Sequence, residues 1–503
     1  MFMDELRNKV WDDVRQRDIR AFGRFLTPEV FVEAAAEAGV KLGKSALSLT
    51  QMVWLGVSCA IHTSKNFCGV LEVALKILED AGSWQPAVPK EPSQQKNGKK
   101  KSGGQKDKEK SKHNPYGKAP TSVTEEAFSQ ARKAMPQSFW IALILILGKC
   151  FAEKHGSLTR WKQYRLLALD GTTISLSAWQ KLRAYFGAAR NGKSKPRTQA
   201  RMLMLQLPLV RMPWRYVLGP IDQGERTLAA ELLQFLYKND LVLLDRGFWS
   251  YGLFHQIQNR NAFFAIRLSN QIKLHRVKRL GNGDSLVRWK MPTGPRWRDS
   301  GLDKEILLRL VQYKIPGFRP SGIVTNVLSP QKISREDWIR LARDTEPGDE
   351  RLGVGLYHRR WEIETTFREL KVTQGMEGKL RGRTPETIHY EIAGHVLLYL
   401  LVRWLIVEAA VEHGIEDPLR LSFKEALEEL KDMRQSLLTA TPKRVAEVLL
   451  PRLLERIAGH LVPLRPGRHY PRPKDSYARH RKRKNRKQQK KLRKTAKTAA
   501  QKA

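Results

Sequence analysis

Residues 166–176 read LLALDGTTISL and residues 241–250 read LVLLDRGFWS, and these two stretches decide the fold class. Each contains a run of four apolar residues that ends in an aspartate, Asp170 or Asp245. Short apolar runs of this length are typical of buried strands. An unpaired charge at the end of a buried strand is unfavourable, so the two acids indicate a functional site. The alternative is an ordinary turn, because Asp-Gly at 170–171 is a common turn pair.

The neighbouring sequence predicts a mixed α/β sheet. Further strands are expected at 173–176, 202–210, 214–218 and 262–268. Helices are expected at 227–237 and 250–259. A strand-rich beginning followed by helix, strand, helix and strand is typical of an α/β core.

The whole chain divides into eight predicted regions. They are a helical N-terminal region (1–89), a disordered basic linker (90–118), a helical connection (119–160), the first part of the core (161–269), a β-rich insertion (270–345), the second part of the core (346–410), a helical C-terminal region (411–464) and a basic disordered tail (465–503). Thr27-Pro28-Glu29 and Thr384-Pro385-Glu386 are predicted helix starts.

Charge indicates a polyanionic partner. The 503 residues carry a formal net charge of +41. The linker contributes a net charge of +7 and the tail +16, which leaves +18 on the rest of the chain. A folded body with this excess suits a surface that follows phosphates.

Neither a membrane span nor a disulfide framework is expected. The N-terminus lacks an apolar signal-peptide core, and residues 139–147 and 392–407 are interpreted as core segments. Cys59, Cys68 and Cys150 have no metal-ligand spacing, which predicts buried free thiols in a reducing compartment. We therefore expect a cytoplasmic, nucleoid-associated protein.

Residues 353–372 predict one helix with a narrow polar stripe. At about 100° per residue, four polar side chains fall within about 60°: Tyr357, Arg360, Glu364 and Lys371. An apolar, core-facing surface lies beside them: Leu356, Ile363, Phe367 and Leu370. Glu362 and Glu369 point away from the stripe. A solvated face with an Arg360–Glu364 pair would give a similar pattern, but the position beside the buried face favours a site.

The stripe matches the Y-x2-R-x3-E-x6-K signature, so the sequence resembles the DDE transposases of bacterial insertion sequences, in the group of insertion sequence four. The segments LALDGTTISL, LVLLDRGFWS, TPEVFVEAAAEAG and TPETIHYEIAGHVLLYLLVR agree with this resemblance. It covers the chain from about residue 20 to 475, apart from the basic linker.

The resemblance implies an RNase H-like catalytic core with a β-rich insertion, a helical N-terminal domain and a helical C-terminal region. Asp170, Asp245 and Glu364 would bind two Mg²⁺ or Mn²⁺ ions. Water would free a 3′-OH at the transposon end, and that hydroxyl would attack target DNA. The partners would be double-stranded DNA, as terminal inverted repeats and as target, and a second copy of the chain in a homodimer.

The resemblance also implies DNA contacts. Tyr357, Arg360 and Lys371 would hold phosphates near the cleaved end, in keeping with their hydrogen-bonding chemistry. Arg246 is a further phosphate-binding candidate, with a structural ion pair as the alternative. Members of the group often flip a base from the helix. Trp297 and Trp338 are candidates to stack on it, but a core position is the favoured interpretation of each.

Two other functions stay open from the sequence. One is a nuclease of the same fold that cleaves DNA without strand transfer. The other is a catalytically inactive DNA-binding protein derived from a transposase. The full signature favours transposition.

Overall fold

The computed structural model describes residues 22–40, 49–63, 125–189, 196–294, 301–314, 320–340 and 356–463. The predicted basic linker, the whole of the predicted tail, Cys68 and Trp297 lie outside these ranges. The chain divides into two units, Met1–Val462 and Pro463–Ala503. The elements described below all belong to the first unit.

Eleven strands form one sheet in the described part of the chain. They are β1 Arg160–Trp161, β2 Tyr164–Ser175, β3 Ala188–Ala189, β4 Arg197–Leu207, β5 Met212–Pro220, β6 Asp240–Leu244, β7 Phe263–Arg267, β8 His275–Gly281, β9 Asp284–Lys290, β10 Glu305–Tyr313 and β11 Ser321–Thr325. The order is β3-β4-β2-β6-β7-β11-β10-β9-β8, with β1 on β2 and β5 on β4. The protein is thus a mixed α/β structure with a large sheet.

Helices flank this sheet. They are α1 Pro28–Glu37, α2 Leu49–Ile61, α3 Glu125–Ala134, α4 Gln137–Lys154, α5 Gly156–Thr159, α6 Gln180–Phe186, α7 Glu225–Leu233, α8 Tyr251–Asn259, α9 Arg335–Arg340, α10 Glu362–Arg368, α11 Pro385–Glu412, α12 Phe423–Thr439, α13 Pro442–Arg444 and α14 Leu450–Ala458. Short 3₁₀ turns cover Arg246–Phe248, Leu356–Trp361 and Pro418–Arg420, and π turns cover Glu369–Thr373 and Val445–Leu449. Helices therefore occur on both sides of the strand-rich middle of the sequence.

The centre of the sheet changes from antiparallel to parallel pairing. Strands β5, β4 and β2 are antiparallel, whereas β2, β6 and β7 are parallel. Helix α7 lies in the chain between β5 and β6, and helix α8 between β6 and β7. The runs at 166–169 and 241–244 are fully buried. Parallel strands covered on both faces read as continuous apolar runs, which explains why the sequence pattern is a run rather than an alternation.

The region predicted as an insertion supplies strands β8 to β11. Strand β11 pairs with β7, so these strands continue the central sheet. Buried Arg309 joins two parts of this region, because its guanidinium forms an ion pair with Asp284 and Nη1 donates to the carbonyl of Ile333 (2.6 Å). The pairing satisfies a charge that would otherwise be costly to bury.

Helix α11 is the central helix of the α-helical part. It is long and apolar enough to cross a membrane, but its most apolar window is entirely buried inside the protein. The core interpretation of residues 392–407 is therefore confirmed. Its predicted start is also confirmed, since Thr384 and Thr387 form a capping box. Thr27, by contrast, precedes α1 without a side-chain capping bond.

Two glycines allow α2 and α11 to approach closely. Gly394 on α11 lies against Gly56 on α2, and an ideal Cβ on Gly394 would lie 2.7 Å from the carbonyl carbon of Gly56. Real Cβ atoms do not approach that closely, and the neighbour is backbone that cannot rotate away. The contact fixes the N-terminal helix on the core.

We predict that Gly394→Ala destabilises the protein by about 3 kcal/mol or more, at the upper end for overpacking of a core. Gly156→Ala is the matched control, because a Cβ there meets nothing within 4 Å, and its effect should stay within about 0.5 kcal/mol. Urea unfolding followed by circular dichroism measures both. Equal stability of the two variants would disprove the close helix contact.

Candidate active site

Asp170 and Asp245 lie side by side at the centre of the sheet. Strands β2 and β6 are parallel, and their last paired residues are Leu169 and Leu244. Asp170 is the next residue of β2, and Asp245 is the first residue after the end of β6. Neighbouring strands are about 4.8 Å apart, so both carboxylates start from adjacent backbone positions.

The turn interpretation of Asp170-Gly171 is wrong. Strand β2 continues through Asp170 to Ser175, and Asp170 pairs with Met204 of β4. The amide of Gly171 donates to Asp170 Oδ1 (2.8 Å). Asp170 is therefore an acid inside a strand, at the point where its parallel neighbour ends.

Glu364 reaches the same place from α10. The Arg360 guanidinium donates from Nη1 to Asp170 Oδ2 (3.0 Å) and from Nη2 to Glu364 Oε1 (3.0 Å). Arg360 is buried, whereas the Glu364 side chain is 43% exposed. One arginine thus joins the acid of the helix to the acid of the sheet.

The predicted single helix over 353–372 is wrong in detail. Residues 353–355 lie outside the described ranges, and the rest is a 3₁₀ turn, then α10, then a π turn over Glu369–Thr373. Each type of turn rotates successive side chains by a different angle. Even so, the core-facing prediction holds for Ile363, Phe367 and Leu370, which are buried.

Lys371 lies on the π turn and contacts β2. Its ammonium donates to the carbonyl oxygen of Thr173 (2.8 Å) and forms an ion pair with Glu377 (2.7 Å). Glu377 also accepts from the Ser175 hydroxyl (2.8 Å). These hydrogen bonds and the Lys371 charge lower the pKa of Glu377 against the effect of burial. Lys371 is thereby held beside the strand that carries Asp170.

Tyr357 makes main-chain contacts. Its hydroxyl donates to the carbonyl of Leu244 (2.9 Å) and accepts from the amide of Arg267 (3.2 Å). Burial raises its pKa to about 12. The phenol therefore ties together the ends of β6 and β7, directly before Asp245.

Glu362 and Glu369 point away from the site, as predicted. Both carboxylates accept from Arg211 (2.7 and 3.0 Å), and buried Glu369 also pairs with Arg403 and accepts from the Tyr399 hydroxyl (2.7 Å). The charges of Arg403 and Arg211 lower the pKa of Glu369 despite its burial. This buried network anchors the side of α10 that faces away from Asp170.

Arg246 follows Asp245 and is exposed, and the described residues provide no ion pair for it. The Trp338 side chain is fully buried, which confirms the core position that the sequence analysis favours for it and excludes it as the residue that stacks on a base. Trp361, which the sequence analysis missed, is 43% exposed with the Arg360 guanidinium 5.0 Å from its ring. Its position in the sequence, directly after Arg360, was the feature that could have identified it.

The electrostatics of Asp170 reflect this crowding of acids. Burial, together with the nearby charges of Asp245 and Glu364, raises its pKa to about 6, although the Gly171 hydrogen bond and Arg360 act in the opposite direction. A carboxyl in this state loses its proton near neutral pH and readily accepts a cation.

Divalent ions suit this set of ligands by donor type, since Mg²⁺ prefers carboxylate oxygens. Within the described ranges, no three His, Cys, Asp or Glu side chains are already grouped around a metal position. The three catalytic carboxylates are not grouped because the Arg360 guanidinium lies between Asp170 and Glu364. Reorientation of the half-exposed Glu364 side chain would bring the third carboxylate to the other two.

Comparisons with known proteins show what the chain is similar to. Residues 161–401 match the family described as "Transposase DDE domain". Over 482 residues the chain is 26% identical to the transposase InsG for insertion sequence element IS4 of Escherichia coli strain K12, covering 92% of this chain and 96% of that protein. A cryo-EM structure of the piggyBac transposase synaptic complex with hairpin DNA aligns with a TM-score of 0.37 and 11% identity, over 90% of this chain and 87% of that one.

The chain is therefore a DDE transposase, a DNA-cleaving enzyme. Within that class its similarity over nearly the whole chain is to the transposase of insertion sequence IS4. Its matched segment begins at β1 and ends within α11, so it includes both aspartates, Glu364 and the strands between them.

We predict that Asp170→Asn stabilises the metal-free protein in a pH-dependent way. Since folding raises the pKa of Asp170 from 3.8 to about 6, the wild type loses stability relative to the variant as pH rises through that window. The difference should be near zero below pH 4 and on the order of 1–3 kcal/mol at pH 7.5.

Chemical unfolding in EDTA at several pH values measures this difference. Asp222→Asn controls for the loss of one negative charge, because Asp222 is exposed. A stability difference for Asp170→Asn that does not change between pH 4 and 7.5 would contradict the crowded, buried carboxylate.

Proposed function

We propose that this protein is a cut-and-paste transposase with an RNase H-like core, which binds the terminal inverted repeats of its element and performs two-metal-ion DNA cleavage and strand transfer. The observation that carries the proposal is the placement of Asp170 and Asp245 at adjacent positions on β2 and β6, with Arg360 linking Asp170 to Glu364.

The strand order supports the RNase H-like core. Strands β5, β4 and β2 are antiparallel, and β6 and β7 follow β2 in parallel. Three antiparallel strands followed by two parallel strands with helical connections is the arrangement of that core. In it, the acids of the first and fourth core strands meet at the same end of the sheet, as Asp170 and Asp245 do here.

In the proposed mechanism Asp170, Asp245 and Glu364 hold two Mg²⁺ or Mn²⁺ ions. Held by these three carboxylates, divalent ions would supply activation of the attacking water and neutralisation of charge on the leaving oxygen. Water attacks the phosphodiester at the transposon end and releases a 3′-OH. That hydroxyl then attacks a phosphodiester of the target, forms a new P–O bond and displaces the target 3′ oxygen.

The residues of the chain keep this geometry. Tyr357 fixes the backbone before Asp245 through its bond to the carbonyl of Leu244. Lys371 is held at β2, where its positive charge faces the end of the strand that carries Asp170. Lys371 suits contact with a phosphate that flanks the cleaved bond, and Arg360 gains a phosphate as a second anionic partner when Glu364 reorients. The Tyr357 hydroxyl donates its one proton to the carbonyl of Leu244 and so acts through the backbone instead.

DNA would reach the site across an exposed basic and aromatic surface. Arg246 extends from the loop directly after Asp245, and Trp361 presents its ring beside Arg360. Arginine suits a phosphate, and an exposed aromatic ring suits an unstacked base. We assign these two residues to the transposon end.

The partners follow from the charge and from the related transposases. A net charge of +41 suits long contact with double-stranded DNA at the inverted repeats and at the target. The proposal includes a homodimer in the DNA complex and a cytoplasmic, nucleoid-associated location. The N-terminal region up to residue 89 would recognise the repeats.

The catalytic assignment predicts a large loss of cleavage. With DNA that carries the element's own terminal repeats and Mg²⁺, Asp170→Asn, Asp245→Asn and Glu364→Gln should each cleave roughly 10³-fold more slowly, because each loses several kcal/mol of transition-state stabilisation. Repeat binding in a gel-shift assay should be retained.

Asp222→Asn, which changes an exposed aspartate before α7, should cleave normally. Cleavage at full rate by Asp170→Asn or Glu364→Gln would exclude the assigned site. Cleavage by the wild type without joining to a target would instead indicate a nuclease, and binding without cleavage would indicate a DNA-binding derivative.

Arg246 is expected to contact a DNA phosphate. Arg246→Ala should weaken repeat binding and reduce the slope of log K against log salt by about 1, the loss of one phosphate contact. Lys238→Ala is the matched control. Lys238 is also exposed, but it lies just before the start of β6, at the end of the strand that is remote from Asp245. An unchanged slope for Arg246→Ala, or an equal change for both variants, would exclude the contact.

A further inference from the structure

Strand β2 has an open edge beyond Asp170. Its pairing with β6 ends directly before this aspartate, whereas β2 continues to Ser175 and stays paired with β4 on its other side. Successive peptide groups of a strand point to alternate edges, and the amide of Leu176 donates to the carbonyl of Thr198 in β4 (2.9 Å). The odd-numbered peptide groups from 171 to 175 therefore point to the open edge.

Lys371 and Glu377 take the place of a strand along this edge. The Thr173 carbonyl accepts from the Lys371 ammonium (2.8 Å). Ser175 donates to Glu377 Oε1 from its hydroxyl (2.8 Å) and from its amide (3.4 Å). The peptide groups of a strand need other partners where no neighbouring strand supplies them. The two side chains are therefore attached to the edge of the strand that carries Asp170.

An ion pair joins these two side chains and orients the ammonium. Lys371 Nζ lies 2.7 Å from Glu377 Oε2 and 3.5 Å from the Thr172 hydroxyl. An ammonium has three donors, and two of them are directed at the Thr173 carbonyl and at Glu377. The third is directed toward Thr172, whose side chain shares a face of β2 with Asp170 because the two are separated by two residues. The weakly occupied donor thus lies on the side of the catalytic acids.

The backbone also brings Glu377 back to Lys371. The amide of Glu377 donates to the carbonyl of Lys371 (3.1 Å). Gly375 and Gly378 have φ angles of +74° and +76°, in the left-handed region that favours glycine. The two glycines permit the tight reversal that places the carboxylate of residue 377 beside the ammonium six residues earlier.

The charge of Glu377 requires an explanation in a protein that binds DNA. An ionised carboxylate beside a phosphate-binding lysine weakens attraction to DNA, because it cancels the positive charge that phosphates require. Lysine, however, has a flexible stem that does not by itself fix the ammonium. The Lys371 and Glu377 side chains are only 18% and 33% exposed, so this ion pair restricts the ammonium more than a fully solvated one would.

We propose that Glu377 is a positioning residue of the reaction, which holds the Lys371 ammonium at the open edge of β2 for contact with a DNA phosphate beside the cleaved bond. This role rests on the proposed function, because Glu377 acts only through Lys371. The Ser175 hydroxyl in turn orients the Glu377 carboxylate.

The test is a double-mutant cycle on the full chain, with DNA that carries the element's own terminal repeats, Mg²⁺ and saturating protein. Single-turnover cleavage is compared for the wild type, Glu377→Gln, Lys371→Ala and the double variant. Lys371→Ala should cleave roughly 10–100-fold more slowly, as expected for loss of one charge-assisted hydrogen bond. Glu377→Gln should slow the wild type about 3–10-fold but change the rate of Lys371→Ala by less than about twofold.

Lys379 supplies the matched control cycle. It is an exposed lysine two residues after Glu377, so Lys379→Ala removes the same charge from the same region. Glu377→Gln should slow Lys379→Ala by the same factor as it slows the wild type. A purely structural role of Glu377 would slow cleavage equally in all three backgrounds, and this result would overturn the proposal.

The direction of the effect separates positioning from simple charge. If only net charge mattered, Glu377→Gln would bind the repeats more tightly in a gel-shift assay and cleave at least as fast as the wild type, which would also overturn the proposal. Positioning predicts slower cleavage without weaker repeat binding. Ser175→Ala, which removes one bond to Glu377, should show a smaller loss that also disappears in Lys371→Ala, and it provides the same test if Glu377→Gln folds poorly.

The outcomes distinguish this role from the function on which it rests. If Lys371→Ala is slow while Glu377→Gln and Ser175→Ala match the wild type, Glu377 has no positioning role and the proposed function stands. If Lys371→Ala cleaves at the wild-type rate, the phosphate contact of Lys371 is disproved together with the role of Glu377. Absence of cleavage by the wild type would disprove the proposed function and this role with it.

Discussion

The parallel pairing of β2 with β6 is the constraint on which the rest of the structure depends. Its register aligns Leu169 with Leu244 and thereby places Asp170 next to Asp245. A shift of one residue would turn one acid to the other face of the sheet. The register is strongly specified, because both apolar runs are fully buried between helices on the two faces. Tyr357 further stabilises the end of β6, because its hydroxyl bonds to both the carbonyl of Leu244 and the amide of Arg267.

Glu364 depends on charge as much as on apolar packing. In front of α10, Arg360 bridges Glu364 and Asp170; behind it, Arg211 and Arg403 hold Glu362 and Glu369. Removal of one partner from a buried network of this kind leaves an uncompensated charge, which is strongly destabilising. The segment therefore has one orientation relative to the sheet, although it passes through three kinds of helical turn. Glu364 is the exposed carboxylate of this network, so its side chain can exchange Arg360 for another cation.

Much of this arrangement could be predicted from the sequence. Four-residue apolar runs ending in Asp identified β2 and β6, and helical periodicity separated Glu364 from Glu362 and Glu369. The 3₁₀ and π turns could not be predicted, since they follow from contacts such as that of Lys371 with the carbonyl of Thr173. The core position favoured for Trp338 agrees with its full burial.

The account centres on two divalent ions held where β2 and β6 end. The most direct test is a crystal structure of the protein grown with Mn²⁺, in which anomalous scattering locates the ions. We predict two peaks about 4 Å apart, both contacting Asp170 or Asp245, with Glu364 released from Arg360. Mn²⁺ at other positions only, with the Arg360 bridge between Asp170 and Glu364 intact, would contradict the account.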